Sequence, residues 1–225
     1  MTALDLKAFA GLLNLVAIMG LALFLSAGTI HYPQAWTFLA VFFVAVTAIT
    51  VYLMKKDPAL LARRVQAGPV AEQRTLQKVI QAFASLAFLA FLVVPGLDRR
   101  WGWSSVPIFM SVVGDVWVAV GLLIIYFVFR SNTFTSATVE VGAGQKVISA
   151  GPYGMVRHPM YAGALLMLAA MPIALGSWWA EIALLPMLAV IVSRLLDEER
   201  LLARELEGYP EYQRRVKWRL VPGVW

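Results

Sequence analysis

The sequence predicts an all-α integral membrane protein with five to six transmembrane helices and a cytosolic, helical carboxyl-terminal region. Two observations carry that reading. Of the 225 residues, 60% are hydrophobic and 14% are charged, whereas soluble domains run at about half apolar and a quarter charged. The apolar residues also fall in runs near the ~20 residues that a helix needs to cross a bilayer, with most lysines and arginines at the ends of those runs.

The first run covers residues 9–29 and the second 35–54, joined by a polar turn at His31, Tyr32 and Pro33. Asp5 and Lys7 lead into the first run without a small-residue cleavage site, so it is expected to remain as an anchor. Residues 55–78 hold Lys55, Lys56, Arg63, Arg64, Arg74 and Lys78 against Asp57 and Glu72. The positive-inside rule assigns this loop, and with it the amino terminus, to the cytosol. The third run, 79–96, leads to a tryptophan-bearing loop at 97–105 on the outer side, and the fourth, 106–129, returns the chain to the cytosol at Arg130. Residues 131–159 are too polar to span.

From residue 161 to 196 a long apolar stretch is broken by Gly176, Ser177, Trp178 and Trp179, which divides it into a helical hairpin. A fully crossing hairpin makes six spans; a shallow one leaves five. Beyond it, Leu195, Leu196, Leu201, Leu202 and Leu206 recur at helical spacing until Gly208 and Pro210 stop the helix. The tail is expected to lay Arg214, Arg215, Lys217 and Arg219 on lipid headgroups. The chain thus divides into residues 1–130, four spans with the cytosolic loop 55–78, and residues 131–225, the polar segment, hairpin and amphipathic helices.

Composition excludes several chemistries. With no cysteine there is no disulfide, thiolate nucleophile or cysteine-ligated metal, and two histidines, His31 and His158, do not make a histidine-rich metal centre. The net charge of +6 sits at span ends, where it sets orientation against anionic headgroups rather than marking a nucleic-acid footprint. GAGQKV, from Gly142, has two glycines spaced like a nucleotide loop but lacks the third glycine and the preceding buried strand. The methionines read as adaptable packing.

Two polar motifs stand against membrane-length sequence: GPYGMVRHPMYAG at 151–163 and RLLDEER at 194–200. Charged and polar groups beside a bilayer cost several kcal/mol unless paired or ligand-bound. Pro159, just before an apolar run, suits a helix start, whose free amides beside Arg157 and His158 would favour a carboxylate or phosphate. The alternative is that Arg157 snorkels to lipid and His158 only caps the helix. Arg194 and Glu198, four apart, share a helix face, with Glu199 turned by about 100°. They could form a functionally silent ion pair, but Arg194 follows directly on an apolar run, a depth at which arginine more often serves a ligand. Asp115 and Glu181 remain as candidate buried charges.

HPMY at 158–161, preceded by Gly151, Tyr153 and Arg157, then Arg194, Glu198, Glu199, GYPEY at 208–212, Arg215, Pro222 and Gly223 together resemble the isoprenylcysteine carboxyl methyltransferases and related phospholipid methyltransferases. The resemblance covers about the last ninety residues; the first four spans match in hydrophobic character alone. It implies a membrane enzyme using S-adenosyl-L-methionine in a cytosol-facing pocket. Its cofactor contacts would be Gln145, Lys146, Val147, Ile148, Tyr153, Arg157, His158, Pro159, Met160, Tyr161 and Glu198, with Arg194 holding the acceptor and Glu199 a weak candidate base. Two positions depart: Gln145 stands where histidine is often found, and Asp197 alters the run before the glutamates.

The expected activity is methylation of a lipid-like acceptor, first carboxyl O-methylation of an isoprenylcysteine-like compound, second phosphatidylethanolamine N-methylation. Its partners would be a lipid or prenylated substrate and membrane lipids, with no nucleic acid. Transfer from a sulfonium is an in-line displacement that needs position and electrostatics rather than a metal. An NADPH-dependent sterol-type reductase is the rival enzyme class, although Met160 stands where those enzymes commonly place asparagine. A small transporter or scaffold is the non-enzymatic reading. The membrane expected is a bacterial or archaeal inner membrane, or endoplasmic reticulum in a eukaryote.

Overall fold

The computed structural model describes residues 2–66, 71–72, 74–142 and 144–225. Residues 67–70 and 73 of the expected cytosolic loop, and Ala143 of the GAGQKV segment, lie outside the described residues. Among the described residues every regular element is helical: α1 (Ala3–Ala27), α2 (Pro33–Lys56), α3 (Pro58–Val65), α4 (Thr75–Trp101), α5 (Ile108–Ser131), α6 (Pro159–Ala174), α7 (Leu184–Glu205) and α8 (Tyr209–Arg215), with short 3-10 turns at Gly151–Gly154 and Trp179–Ala183. Large apolar side chains such as Leu21, Leu25, Val44, Phe83, Leu86, Phe109 and Leu185 point outward, as they must where the surrounding solvent is hydrocarbon.

Local chemistry sets the helix ends. Thr2 and Asp5 close a capping box on α1, and Gly28 ends it in the left-handed region at φ 66°. Prolines open α2, α3 and α6 at their first turns, where the missing amide removes a donor that would lack a partner. Asp57 caps α3 by accepting the Leu60 amide at 2.9 Å.

Five helical segments are long and apolar enough to cross a membrane: α1, α2, α4, α5 and the continuous Trp179–Glu205 helix that contains α7. The hairpin reaches across with them. Its turn lies at one end of the bundle, where the Tyr32 hydroxyl, in the α1–α2 turn, contacts the Leu175 carbonyl at 2.5 Å and Pro95 O at 3.3 Å. At that end the buried Asp98 carboxylate also collects the Ser104 amide and the Ser104 and Ser177 hydroxyls. At the opposite end Ala8, Leu53, Leu60, Leu61 and Phe129 form a second apolar cluster. With 16 residues, α6 is about 24 Å long, shorter than the ~30 Å hydrocarbon layer. Packing against α2, α4, α5 and α7 shields it from lipid, and the turn at 175–178 completes the crossing.

Close approach is what lets α6 sit inside. A β-carbon on Gly121 of α5 would lie 2.6 Å from Gly163 O, and one on Gly163 of α6 would lie 2.9 Å from Gly121 O. Small residues at such a contact are the usual means of bringing membrane helices together. The main core, with Met19, Leu23, Phe38, Phe91, Leu92, Leu168, Met171 and Leu175, lies where α1, α2, α4 and α6 meet.

All lysines and arginines except Arg99 and Arg100 gather at the end opposite Asp98. That end also holds the polar residues 131–142 and 144–158 and α8.

Candidate functional site

A cavity of about 350 Å³ opens at the basic end, within the roughly 300–1,000 Å³ range of small-molecule sites. Asn132, residues 134–140 and 145–148, and Tyr153 form one wall, α6 and α7 the opposite one, and Tyr209 and Tyr212 of α8 close it. Arg64 of α3 also lines it. Between α4, α6 and α7 the cavity continues into an apolar arm walled by Ala84, Ala164, Met187, Val190 and Ile191, with the polar Gln81 among them.

Gln145, Lys146, Val147, Ile148, Tyr153, Arg157, His158, Pro159, Met160, Tyr161, Arg194 and Glu198 all line this one space. Glu199 does not. Its carboxylate turns away to accept Arg157 Nε at 2.7 Å and Arg219 Nε at 3.0 Å, with His158 Nε2 at 3.2 Å. Arg157 also donates to Val216 O at 3.2 Å, and the Arg157 and His158 amides donate to Trp218 O and Arg219 O, each at 2.9 Å. These contacts tie the start of α6 to the carboxyl-terminal segment. Arg219, expected at the headgroups, is turned into this cluster and stacks on Trp225 instead. Glu199 thus faces the start of α6 and the carboxyl-terminal segment, away from the cavity that the other candidate residues line.

Arg194 and Glu198 make no direct ion pair. The Tyr161 hydroxyl joins them, accepting from Arg194 Nε at 3.2 Å and donating to Glu198 Oε2 at 2.7 Å. The remaining donors of Arg194 are largely occupied: Nη1 reaches Gln77 Oε1 at 2.8 Å and the Glu72 carboxylate at 2.8 Å, and Nη2 donates to Ala137 O at 2.8 Å. Glu72 and Gln77 are sealed from solvent at 3% and 0% exposure. Gln77 in turn donates to Asp197, which holds Arg74 through two contacts at 2.6 and 3.0 Å. Asp197 thus clamps the start of α4 to α7.

Sequence reasoning missed Arg64, Glu72, Gln77 and Asn132 as parts of the site. The one available signal was Gln77, a polar side chain two residues before an apolar run. Asn132 Nδ2 donates to the Tyr153 hydroxyl at 3.1 Å. Burial, more than any neighbour, raises the Tyr153 and Tyr209 phenols above their usual range, so both stay neutral at physiological pH. Asp115 and Glu181, the other candidate charges, lie outside the cavity.

A helical bundle with five membrane-length spans and a cavity at its basic end defines the class: an all-α integral membrane protein. Residues 109–207 match the family model described as phospholipid methyltransferase. The match takes in the motifs at 151–163 and 194–200 and begins earlier than they indicated, with α5 and its Gly121 contact to α6, while GYPEY at 208–212, Arg215, Pro222 and Gly223 lie beyond it. The chain is also similar to the Delta(14)-sterol reductase TM7SF2 of Mus musculus, 31% identical over 118 residues, 44% of this chain and 28% of that protein. The chain therefore spans well under half the length of that curated relative.

The donor set suits a methyl donor of the S-adenosylmethionine type, which carries an ammonium, a carboxylate and an aromatic base. Glu198 Oε1 has no protein partner among the described residues, and the Tyr209 hydroxyl is buried in the cavity wall without one. Tyr153, Phe134 and Tyr212 add aromatic surface.

Proposed function

We propose that the protein is an S-adenosylmethionine-dependent methyltransferase acting on a lipid-like acceptor. The observation that carries the reading is the meeting of both polar motifs around one cavity that runs into an apolar arm between membrane-spanning helices. When bound, the cofactor would supply an electrophilic methyl group on a sulfonium sulfur. Glu198 would receive its ammonium group, the Tyr209 hydroxyl would find its missing partner, and residues 145–148 with Tyr153 would flank the base. Arg194 would act mainly through Tyr161, holding that hydroxyl toward Glu198, with one remaining Nη2 proton free for an acceptor oxygen. Burial at the membrane boundary would exclude water, which favours a step in which opposite charges on donor and acceptor neutralise.

For the acceptor, carboxyl O-methylation of an isoprenylcysteine-like compound is our first reading. N-methylation of a phospholipid is the second, favoured by the description of the matched family. Similarity to a sterol reductase keeps a nicotinamide-dependent reduction as the rival class. The basic end of the bundle would face the cytosol under the positive-inside rule.

The test is calorimetric titration of the purified protein with S-adenosylmethionine, S-adenosylhomocysteine and NADPH. Binding of the two adenosyl ligands, weakened in Glu198→Gln, is the expected result. Binding of NADPH alone would move the assignment to reduction, and binding of none of the three would sink both enzyme readings.

A further inference from the structure

We propose that Arg64, on a helix outside the segment that matches the methyltransferase family, is the anion-recognition residue of the cavity, taking a carboxylate or phosphate oxygen of a bound ligand. The proposal rests on the cavity being the ligand site. Four cationic side chains line it: Arg64, Lys146, Arg157 and Arg194. Arg157 is ion-paired with Glu199 at 2.7 Å, a carboxylate it shares with Arg219, and Arg194 with Glu72 at 2.8 Å. Lys146 is exposed at the rim. Arg64 is enclosed and, among the described residues, has no carboxylate within ion-pair distance.

The sequence of α3 explains why an arginine points inward there. Leu60 and Leu61 are buried at 0% and 4% exposure in the cluster with Ala8, Leu53 and Phe129. Arg64 follows them by four and three residues, so the face that anchors the helix also carries the guanidinium inward. Its Nη1 donates to Ser136 O at 2.8 Å and lies 3.9 Å from Met160 Sδ, and its carbon sits 5.1 Å from the Phe129 ring centroid. Nε and Nη2 have no hydrogen-bond partner among the described residues. A guanidinium with two unused donor positions presents the fork that suits a carboxylate or phosphate. An enclosed cation without an anion is also costly, and a ligand anion offsets that cost.

Two ligands could bring the anion: the carboxylate of the methyl donor or the headgroup of the acceptor. The experiment is calorimetric titration of the full chain in detergent, as wild type, Arg64→Gln and Arg64→Lys, with S-adenosylhomocysteine, dihexanoyl phosphatidic acid and uncharged dihexanoylglycerol. The expected result is a loss of tenfold or more for one charged probe in Arg64→Gln, partly regained in Arg64→Lys, with dihexanoylglycerol unaffected; the probe that loses identifies the source. Unchanged affinities, or equal loss for all three probes, overturn the proposal. Wild-type protein that binds phosphatidic acid in an Arg64-dependent way but not S-adenosylhomocysteine upholds Arg64 while sinking the methyltransferase reading, and wild type that binds neither overturns both. Should Arg64→Gln fail to fold, phenylglyoxal modification of wild-type Arg64 decides: protection by a charged probe supports the site, and modification unaffected by both charged probes rejects it.

Discussion

Glu198 and Glu199 are chemically identical neighbours with opposite surroundings, because one residue along a helix turns the side chain by about 100°. Glu198 faces the cavity with a single protein partner, Tyr161; Glu199 is surrounded by Arg157, His158 and Arg219. The two should fail differently. Glu198→Gln is expected to weaken S-adenosylhomocysteine binding by about tenfold or more, since a hydrogen bond to a charged group contributes ~1.5–3 kcal/mol and 1.4 kcal/mol is tenfold, with Tm unchanged. Glu199→Gln leaves three cationic or donor groups facing a neutral amide in a buried site, where breaking a pair costs about 3–5 kcal/mol. Thermal denaturation should show a marked fall in Tm for this variant; an unchanged Tm would remove its anchoring role. Helical spacing made it legible that the pair diverges. It did not show which glutamate meets the cavity, because that depends on where the carboxyl-terminal segment returns.

At the scale of elements, the contact between α5 and α6 is set by glycine. In Gly163→Val the new β-carbon would start 2.9 Å from the Gly121 carbonyl and 3.0 Å from Ile124 Cγ2. Overpacking of this kind costs about 1–3 kcal/mol, and the displaced α6 carries Met160 and Tyr161 of the cavity wall with it. The expected outcome is a lower Tm together with weaker ligand binding. Gly11→Ala in α1, where a β-carbon meets nothing within 4 Å, serves as control and should leave both unchanged. Stability loss in the control equal to that of Gly163→Val would argue against the close-packing account. The four long spans were readable from run length and the start of α6 from Pro159, whereas α3, Pro58–Val65, was not, because its eight residues lie in a loop whose charge was its one evident feature. The interhelical clamp of Arg74 and Gln77 on Asp197 was not, since Asp197 lies about 120 positions from both in sequence and the two segments have no local pattern in common.

For the whole molecule, charge asymmetry is the dominant feature: Arg99 and Arg100 alone among the lysines and arginines lie at the Asp98 end. The positive-inside rule then predicts the cavity end in the cytosol. Because the chain has no cysteine, single-cysteine labelling has no background. In intact cells a membrane-impermeant maleimide should label Trp103→Cys, while Lys146→Cys should react only after permeabilisation. The reverse pattern would place the cavity on the outer side and withdraw a cytosolic supply of the methyl donor.

By itself the sequence determined that the chain is helical and membrane-embedded, where its four long amino-terminal spans lie to within about six residues, and that two polar motifs fall at the same end of those spans. Each of those follows from local quantities: apolar run length, proline and glycine placement, and the sign of charge at run ends. Only the tertiary structure decided which charges are free. Arg194 is balanced by Glu72, Glu199 by Arg157 and Arg219, and Arg64 by no carboxylate among the described residues. The physical reason is that pairing of buried charges depends on distances of 3 to 4 Å between groups from different helices, and such distances are fixed by packing.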